Sequence, residues 1–218
     1  MKERNEKSDY PAKTGYRDSA AASDYELRPH YKGLLGPYRR FREKQGIQSA
    51  VQQFMRDSVV LDCPCGNGRW FELLSMRASR IVGYDISEAM VEAAAKRHIA
   101  GINVSVRLCD AEKIDLDDNS VDHVFSYALM KHLPPDIKII VMREFARVSR
   151  GRIAVSFGVF NLPGKMLWKL KCSHEWPVGW AEIERLADEA SLKIGTTYRS
   201  SLPVIGMETI VVFERKPC

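Results

Sequence analysis

No run in this chain is apolar over the roughly 18–20 residues that a membrane-spanning helix requires, so no transmembrane segment is expected. The opening residues, Met1-Lys2-Glu3-Arg4-Asn5-Glu6-Lys7, are charged and lack the apolar core of a secretory signal, which makes a cytoplasmic protein the expectation. Cysteine is sparse: five residues, Cys63, Cys65, Cys109, Cys172 and Cys218, odd in number and scattered. That argues against a disulfide framework and for reduced thiols. Cys63 and Cys65 are spaced C-x-C with no second Cys or His pair at zinc spacing, so no metal is expected and both read as small packing residues. Internal repeats and low-complexity blocks are also missing. The formal charge of +5 is too modest for a nucleic-acid signature, although it suits an anionic substrate or a membrane surface. What remains is an ordinary globular composition, 45% hydrophobic and 28% charged in 218 residues. One α/β domain with modest additions fits that length.

Residues 1 to about 24 are polar, with Tyr10, Tyr16 and Tyr25 interspersed. They read as a disordered tail, the alternative being a lid that uses those tyrosines as contacts. From Tyr25 to Met55 the pattern turns helical, and Gly33, Gly36-Pro37 and Gly46 predict breaks that leave two short helices. Ile47, Val51 and Phe54 form the expected buried stripe. The same stretch carries a basic, aromatic patch, His30-Tyr31-Lys32 and Tyr38-Arg39-Arg40-Phe41-Arg42-Glu43-Lys44. It reads as a solvated helix face, with a docking surface for phosphate or carboxylate groups as the sharper alternative.

A regular alternation follows. Ser58–Asp62 is a strand, Trp70–Met76 a helix, and Arg80–Asp85 a strand. Ser87 reads as the N-cap of a helix whose apolar face is Met90, Val91 and Ala94. Strands at Asn103–Cys109 and Val121–Ser126 come next. Pro134-Pro135 opens a helix with a stripe of Ile140, Val141 or Met142, Phe145 and Val148, before a strand at Arg152–Phe157. This rhythm implies right-handed crossovers and a mostly parallel sheet. Residues 158–180 interrupt it with aromatic and lysine residues, Trp168 among them. A helix at Trp180–Ala190 and strands at Lys193–Ser200 and Glu208–Arg215 close the chain.

Three acids, Asp62, Asp85 and Asp110, end the first three strands. In a parallel sheet those ends share one edge, so the carboxylates line one crevice. Gly66 and Gly68 follow Asp62 in a loop where a ligand can lie against bare backbone at a helix start. Asp85 stands at the interval a ribose-binding acid needs, and Asp110-Ala111 supplies an acceptor and a donor that match an adenine edge. Arg69, at the helix start, reads as solvated, with closure of the loop as its alternative.

Taken together, Val60-Leu61-Asp62-Cys63-Pro64-Cys65-Gly66-Asn67-Gly68, Gly83-Tyr84-Asp85-Ile86-Ser87-Glu88-Ala89-Met90 and Asp110-Ala111 resemble the class I S-adenosylmethionine-dependent methyltransferases. Phe125–Pro134 resembles the segment after strand four in the type 11 branch, which includes quinone-biosynthesis enzymes. The resemblance covers about residues 50–157 and departs at Val148-Ser149-Arg150-Gly151, where the family often has Pro-Gly-Gly. It implies a Rossmann-like, doubly wound α/β fold with a seven-stranded sheet, mostly parallel with an antiparallel last strand. Residues 1–45 would be a flexible or helical lid segment and 46–218 the methyltransferase domain, with 158–180 as a substrate-side insertion. S-adenosyl-L-methionine would be the cofactor, leaving S-adenosyl-L-homocysteine. Gly66 and Gly68 would flank its methionine moiety together with Cys63, and Asp62 would orient the amino group. Asp85 would hold the ribose, Ile86 and Met90 would pack near the adenine, and Asp110 and Ala111 would read the adenine edge.

Alignment of an acceptor with the methyl group is the main chemical demand, and a general base is needed only for an acceptor that loses a proton. His132 is the candidate base, with packing or capping as its alternative; Tyr127 is expected to line the methyl pocket. Tyr16, Tyr25, His30 and Trp168 are candidate acceptor contacts. The expected acceptor is a small or lipid-like molecule with an anionic group. RNA is the runner-up, weakened by the lack of a strong basic face. A cofactor-holding protein without turnover is the non-enzymatic alternative. A nicotinamide dehydrogenase is disfavoured because Phe71 occupies the position where G-x-G-x-x-G requires a small residue. Oligomeric state is not legible.

Overall fold

Continuous apolar strands and one-sided amphipathic helices build a three-layer sandwich around a seven-stranded sheet. The computed structural model describes residues 10, 13, 15, 35–160, 176–201 and 208–216. In chain order the elements are α1 (Gly36–Val51), β1 (Ser58–Asp62), α2 (Phe71–Leu74), β2 (Ala78–Asp85), α3 (Glu88–Ala95), β3 (Asn103–Leu108) and β4 (His123–Ser126). Then come α4 (Pro135–Val148), β5 (Ile153–Gly158), α5 (Trp180–Glu189), β6 (Leu192–Arg199) and β7 (Glu208–Arg215).

The strand order is β3-β2-β1-β4-β5-β7-β6. β1 pairs in parallel with both β2 and β4, so the winding reverses between β1 and β4. Such a reversal leaves a crevice beyond the carboxyl ends of the strands. β7, the last strand in sequence, runs antiparallel to β5 and β6 on either side of it. The expected mostly parallel sheet with one antiparallel final strand is what the chain forms.

Neighbouring strand residues feed opposite cores, as the period of two requires. Leu61, Val124, Val155, Val211 and Phe213 pack under α4 and α5. Val60, Phe125, Ala154, Ile210 and Val212 pack under α1, α2 and α3. β4 and β5 are buried from end to end, whereas the edge strand β3 is half-exposed.

Several local expectations are corrected. Gly46 does not break a helix: α1 runs unbroken from Gly36 through it to Val51, and so crosses position 46. A Cβ on Gly46 would stand 2.9 Å from the Cα of Ser200, so the glycine lets the helix lie directly on the backbone beyond β6. The expected helix at Trp70–Met76 shortens to the single turn of α2. On α4 the buried face is Ile137, Val141, Met142, Phe145 and Val148, while Ile140 lies outside it and is exposed. Ile47, Val51 and Phe54 are buried as expected.

Two buried polar residues hold elements together. His123 of β4 sets Nε2 2.9 Å from the Met55 N–H and Nδ1 3.0 Å from the Arg152 N–H, and its neutral ring accepts from one of the two. Its ring stacks on Phe54 with centroids 4.4 Å apart. Lys138 of α4 donates to the Trp176 carbonyl at 2.9 Å and faces Glu182 of α5 at 3.4 Å.

Candidate functional site

The glycine loop after β1 is stapled to the strands on both sides. The Cys63 N–H donates to the Phe125 carbonyl at 3.0 Å and the Cys65 N–H to the Tyr84 carbonyl at 2.8 Å. Gly66 (φ 53°) and Gly68 (φ 73°) take left-handed backbone conformations. Nothing lies within 4 Å of where a Gly66 Cβ would be, so the backbone there is bare on the cleft side. Gly68 differs: a Cβ there would meet the Phe71 ring at 2.6 Å. It turns the chain and admits Phe71 to the core, and it does not line the cleft. Arg97, which the sequence did not mark, clasps the loop by donating to the Asn67 carbonyl at 2.6 Å.

The cleft opens at the carboxyl edge where the strand order reverses. It holds roughly 1000 Å³, counting the part open to solvent, and is lined by Cys63, Gly66, Asp85, Ile86, Met90, Asp110 and Ala111. Tyr127 and His132, from the segment after β4, also line the cleft, with Leu129 and Leu133.

Each carboxylate meets a different environment. Asp62 is fully buried at the end of β1, and neither of its oxygens has a hydrogen-bond partner among the described residues. Burial, and secondarily the charge of Asp85, pushes its carboxyl well above the ordinary range. An unpartnered buried carboxyl is costly to maintain, which fits a group that awaits a cationic ligand. Asp85 accepts the Gly66 N–H at 2.8 Å on one oxygen and the Ser87 N–H at 3.0 Å on the other. Burial raises its pKa, and these backbone bonds oppose the rise. Each oxygen retains accepting capacity toward the cleft. Ser87 caps α3 in position, although its hydroxyl makes no capping bond.

Asp110 is held from the outset. One oxygen accepts the Glu112 N–H at 3.0 Å, and the other pairs with Lys13 Nζ at 2.7 Å. Lys13 also pairs with Glu112 at 2.7 Å, and its charge lies 5.9 Å from the Tyr10 ring centre. Burial lowers the Lys13 pKa, but the bonds to Asp110 and Glu112 and their charges outweigh it and leave the ammonium above its usual value. Tyr10 and Lys13 both line the cleft. Tyr10 carried a weak signal as one of the tyrosines in the tail; Lys13 carried none.

At the other end, Arg69 is not solvated. It pairs with Glu43 of α1 and lies 4.0 Å over the Trp70 ring, with both Arg69 and Trp70 on the cleft wall. Tyr127 meets Trp70 edge-on at 5.7 Å and shares a hydrogen bond with Ser200 at 3.2 Å. Ala128 has φ 62°, a conformation that costs a non-glycine residue energy. Its N–H donates to Ser156 Oγ at 2.7 Å, and the Ser156 hydroxyl is 2.8 Å from Glu208. β5 and β7 thus hold the turn that presents Tyr127. The thiols of Cys63 and Cys65 are driven well above their ordinary pKa by burial first, then by nearby acids. Tyr16, Tyr25, His30 and Trp168 lie outside the described residues.

Comparison with known proteins bears on this geometry. Residues 60–151 match a family model described as a methyltransferase domain. The chain is 28% identical over 155 residues to a malonyl-[acyl-carrier protein] O-methyltransferase of Hamiltonella defensa subsp. Acyrthosiphon pisum, a match covering 68% of this chain and 55% of the relative. It is 28% identical over 111 residues to a probable S-adenosylmethionine-dependent methyltransferase of Mycobacterium tuberculosis, covering 51% and 39% of the two chains. The chain therefore spans about half the length of these curated relatives or less. The solved magnesium protoporphyrin IX methyltransferase of Synechocystis PCC 6803 with bound SAH superposes with a TM-score of 0.78 at 19% identity, covering 94% of this chain and 100% of that one. That likeness is one of fold.

Proposed function

We propose that this chain, whose residues 60–151 match a family model described as a methyltransferase domain, is a class I S-adenosylmethionine-dependent methyltransferase that methylates a small or amphiphilic acceptor carrying an anionic group. The observation that carries the reading is the buried, unpartnered Asp62 carboxyl behind a cleft walled by Asp85 and Asp110. This donor set fits the cofactor in kind: Asp62 for a cationic amine, Asp85 for a diol, and Asp110 with the Ala111 N–H for an amino-purine edge. When bound, the cofactor supplies an activated methyl group on a sulfonium.

The chain's own residues bind, orient and exclude water. Trp70 and Tyr127 wall the space beyond the glycine loop and favour a flat or apolar acceptor. Arg69 and His132 on the same wall, with the basic balance of the chain, support an anionic group. His132 is the base for an acceptor that must lose a proton, and the reaction needs none for one that need not. The segment that carries Tyr10 and Lys13 acts as a lid over the cofactor end, a reading supported by both residues lining the cleft. The named acceptors of the relatives, a malonyl-carrier protein and a magnesium porphyrin, include no nucleic acid.

Incubation with methyl-labelled cofactor and fractionated extract, resolved into lipid, aqueous metabolite and RNA pools, tests the assignment. Label is expected in the lipid or metabolite pool. Label confined to RNA would overturn the acceptor class, and none in any pool, with the cofactor bound, would favour a binding protein without turnover.

A further inference from the structure

Much of what holds the segment after β4 converges on a residue outside the cleft. Glu208 opens β7 and stands opposite Gly158, the last residue of β5, so it lies at the same edge of the sheet as the cleft. One oxygen of its largely buried carboxylate accepts the Ser156 hydroxyl at 2.8 Å, and the other is 3.3 Å from Lys131 Nζ. Ser156 Oγ in turn accepts the Ala128 N–H at 2.7 Å. The Glu208 main-chain carbonyl accepts the Ser200 N–H at 3.2 Å, and Ser200 Oγ accepts the Tyr127 hydroxyl at 3.2 Å. Tyr127 and Ala128 line the cleft; Glu208 and Ser156 do not.

We propose that Glu208 is a positioning residue for the acceptor side of the cleft, acting through Ser156 and Lys131 on residues 127–131. A carboxylate only accepts, so the Ser156 proton points at Glu208 and its lone pairs are left for the Ala128 N–H. The charge strengthens the bond that fixes this direction. Ala128 needs such a brace, because φ of 62° persists in a residue other than glycine only where its surroundings over-determine it. β7 does not need the carboxylate for its own packing: Ile210, Val211, Val212 and Phe213 are its buried residues. A charge largely withdrawn from water is costly unless it is paired, and both oxygens of this one are committed to bracing the segment that carries Tyr127. Transfer in line with the methyl group depends on where that wall stands, and a displacement of about 1 Å can cost about a hundred-fold in rate. The Lys131 carbonyl is held separately by the Trp176 N–H, so loss of Glu208 displaces the turn without freeing the whole segment. The link to methyl transfer rests on the function proposed above; the bracing of the turn does not.

Hydrogen exchange of the full chain, read over residues 127–132, tests the brace, and labelled methyl transfer tests its use. Glu208→Ala is expected to speed exchange there about ten-fold, as loss of a charge-assisted hydrogen bond does. Ser156→Ala is expected to do the same, and the double variant no more than either alone, because the two act through one link. Glu208→Gln, whose amide oxygen still accepts from Ser156, is expected to recover most of the protection. In Glu208→Ala the affinity and stoichiometry of S-adenosylhomocysteine binding by calorimetry should be unchanged. Methyl transfer to the acceptor pool, counted per S-adenosylhomocysteine site, should fall on the order of ten-fold or more, with Glu208→Gln restoring most of it. Unchanged exchange over 127–132 would overturn the proposal, as would faster exchange with an unaltered rate per site. A loss of binding sites equal to the loss of rate would also overturn it, by making Glu208 a residue of folding alone. Exchange is read without turnover, so a wild-type chain that transfers no label strikes the methyl-transfer reading and leaves the brace to be judged by exchange.

Discussion

Asp62 and Asp85 sit at the ends of adjacent strands yet are prepared for different work. Asp85 enters the cleft already braced by two backbone donors, while Asp62 waits behind the loop with none among the described residues. Its raised pKa carries a sign. A group that is protonated in the free protein and ionised against a cationic amine releases a proton on binding. Cofactor affinity is therefore expected to rise with pH up to that raised pKa and to level off above it. Calorimetry in buffers of different ionisation enthalpy should detect the released proton, and Asp62→Asn should abolish it; a variant releasing the same proton would assign the linkage elsewhere. Asp85→Ala removes the diol acceptor and is expected to weaken binding by about 2 kcal/mol or more, as loss of a charged acceptor does. Unchanged affinity would count against the ribose assignment. Lys13→Met takes the counter-charge from Asp110 and Glu112, and should raise the cofactor Kd on the order of ten-fold. An unaltered Kd would reduce Lys13 to a surface tether.

Among the elements, the join between α1 and the sheet is the most exposed to pH. The His123 ring nitrogens stand 2.9 and 3.0 Å from the Met55 and Arg152 backbone N–H groups; a neutral imidazole accepts from one of them at its unprotonated nitrogen, and an imidazolium, with two donors, accepts from neither. Burial lowers its pKa from 6.5 to about 4, with the Arg152 N–H and nearby charges as smaller influences. Between those values the unfolded chain binds the proton and the folded chain does not, so stability rises with pH across that window. The full contribution is present above about pH 6.5 and about 3 kcal/mol of it is lost by pH 4. Chemical denaturation at pH 7 and at pH 4.5 should show this loss. His123→Gln should lower stability at pH 7 and make it less pH-dependent; an equal slope in the variant would move the effect to another group. The Gly46 contact belongs to the same join. The glycine spacing that suggested a break in sequence is, in the fold, the place where helix and sheet approach most closely.

At the scale of the molecule, burial is graded from the centre of the sheet outward. β4 and β5 are covered on both faces, whereas β3 forms one edge and is partly open. Hydrogen exchange is therefore expected to be slowest in β4 and β5 and fastest in the edge strands β3 and β6, because opening an edge exposes the least apolar surface. Addition of S-adenosylhomocysteine should slow exchange in the glycine loop and around Asp110, and at Tyr10 and Lys13 if the lid closes. Protection confined to the loop would leave residues 1–45 outside the cofactor site. No helix among the described residues is long and apolar enough to cross a membrane.

The alternation of strand and helix, the parallel sheet with its antiparallel last strand, and the three acids on one edge were all legible in residue order. Each depends on local periodicity and on strand direction, which a linear pattern carries. The Asp62–Gly68 loop, Asp85 and Asp110-Ala111 stand close to their strands, so strand assignment alone brought them together. Tertiary structure decided the rest. Lys13 reaches Glu112 across 99 positions, Glu43 meets Arg69 from another helix, and Gly46 rests on Ser200. Such contacts depend on which surfaces meet once the core has closed, and a charged residue in a polar tail looks the same in sequence whether it faces water or a carboxylate. The sequence determined the kind of cleft; the packing of distant segments against it determined which charges guard it.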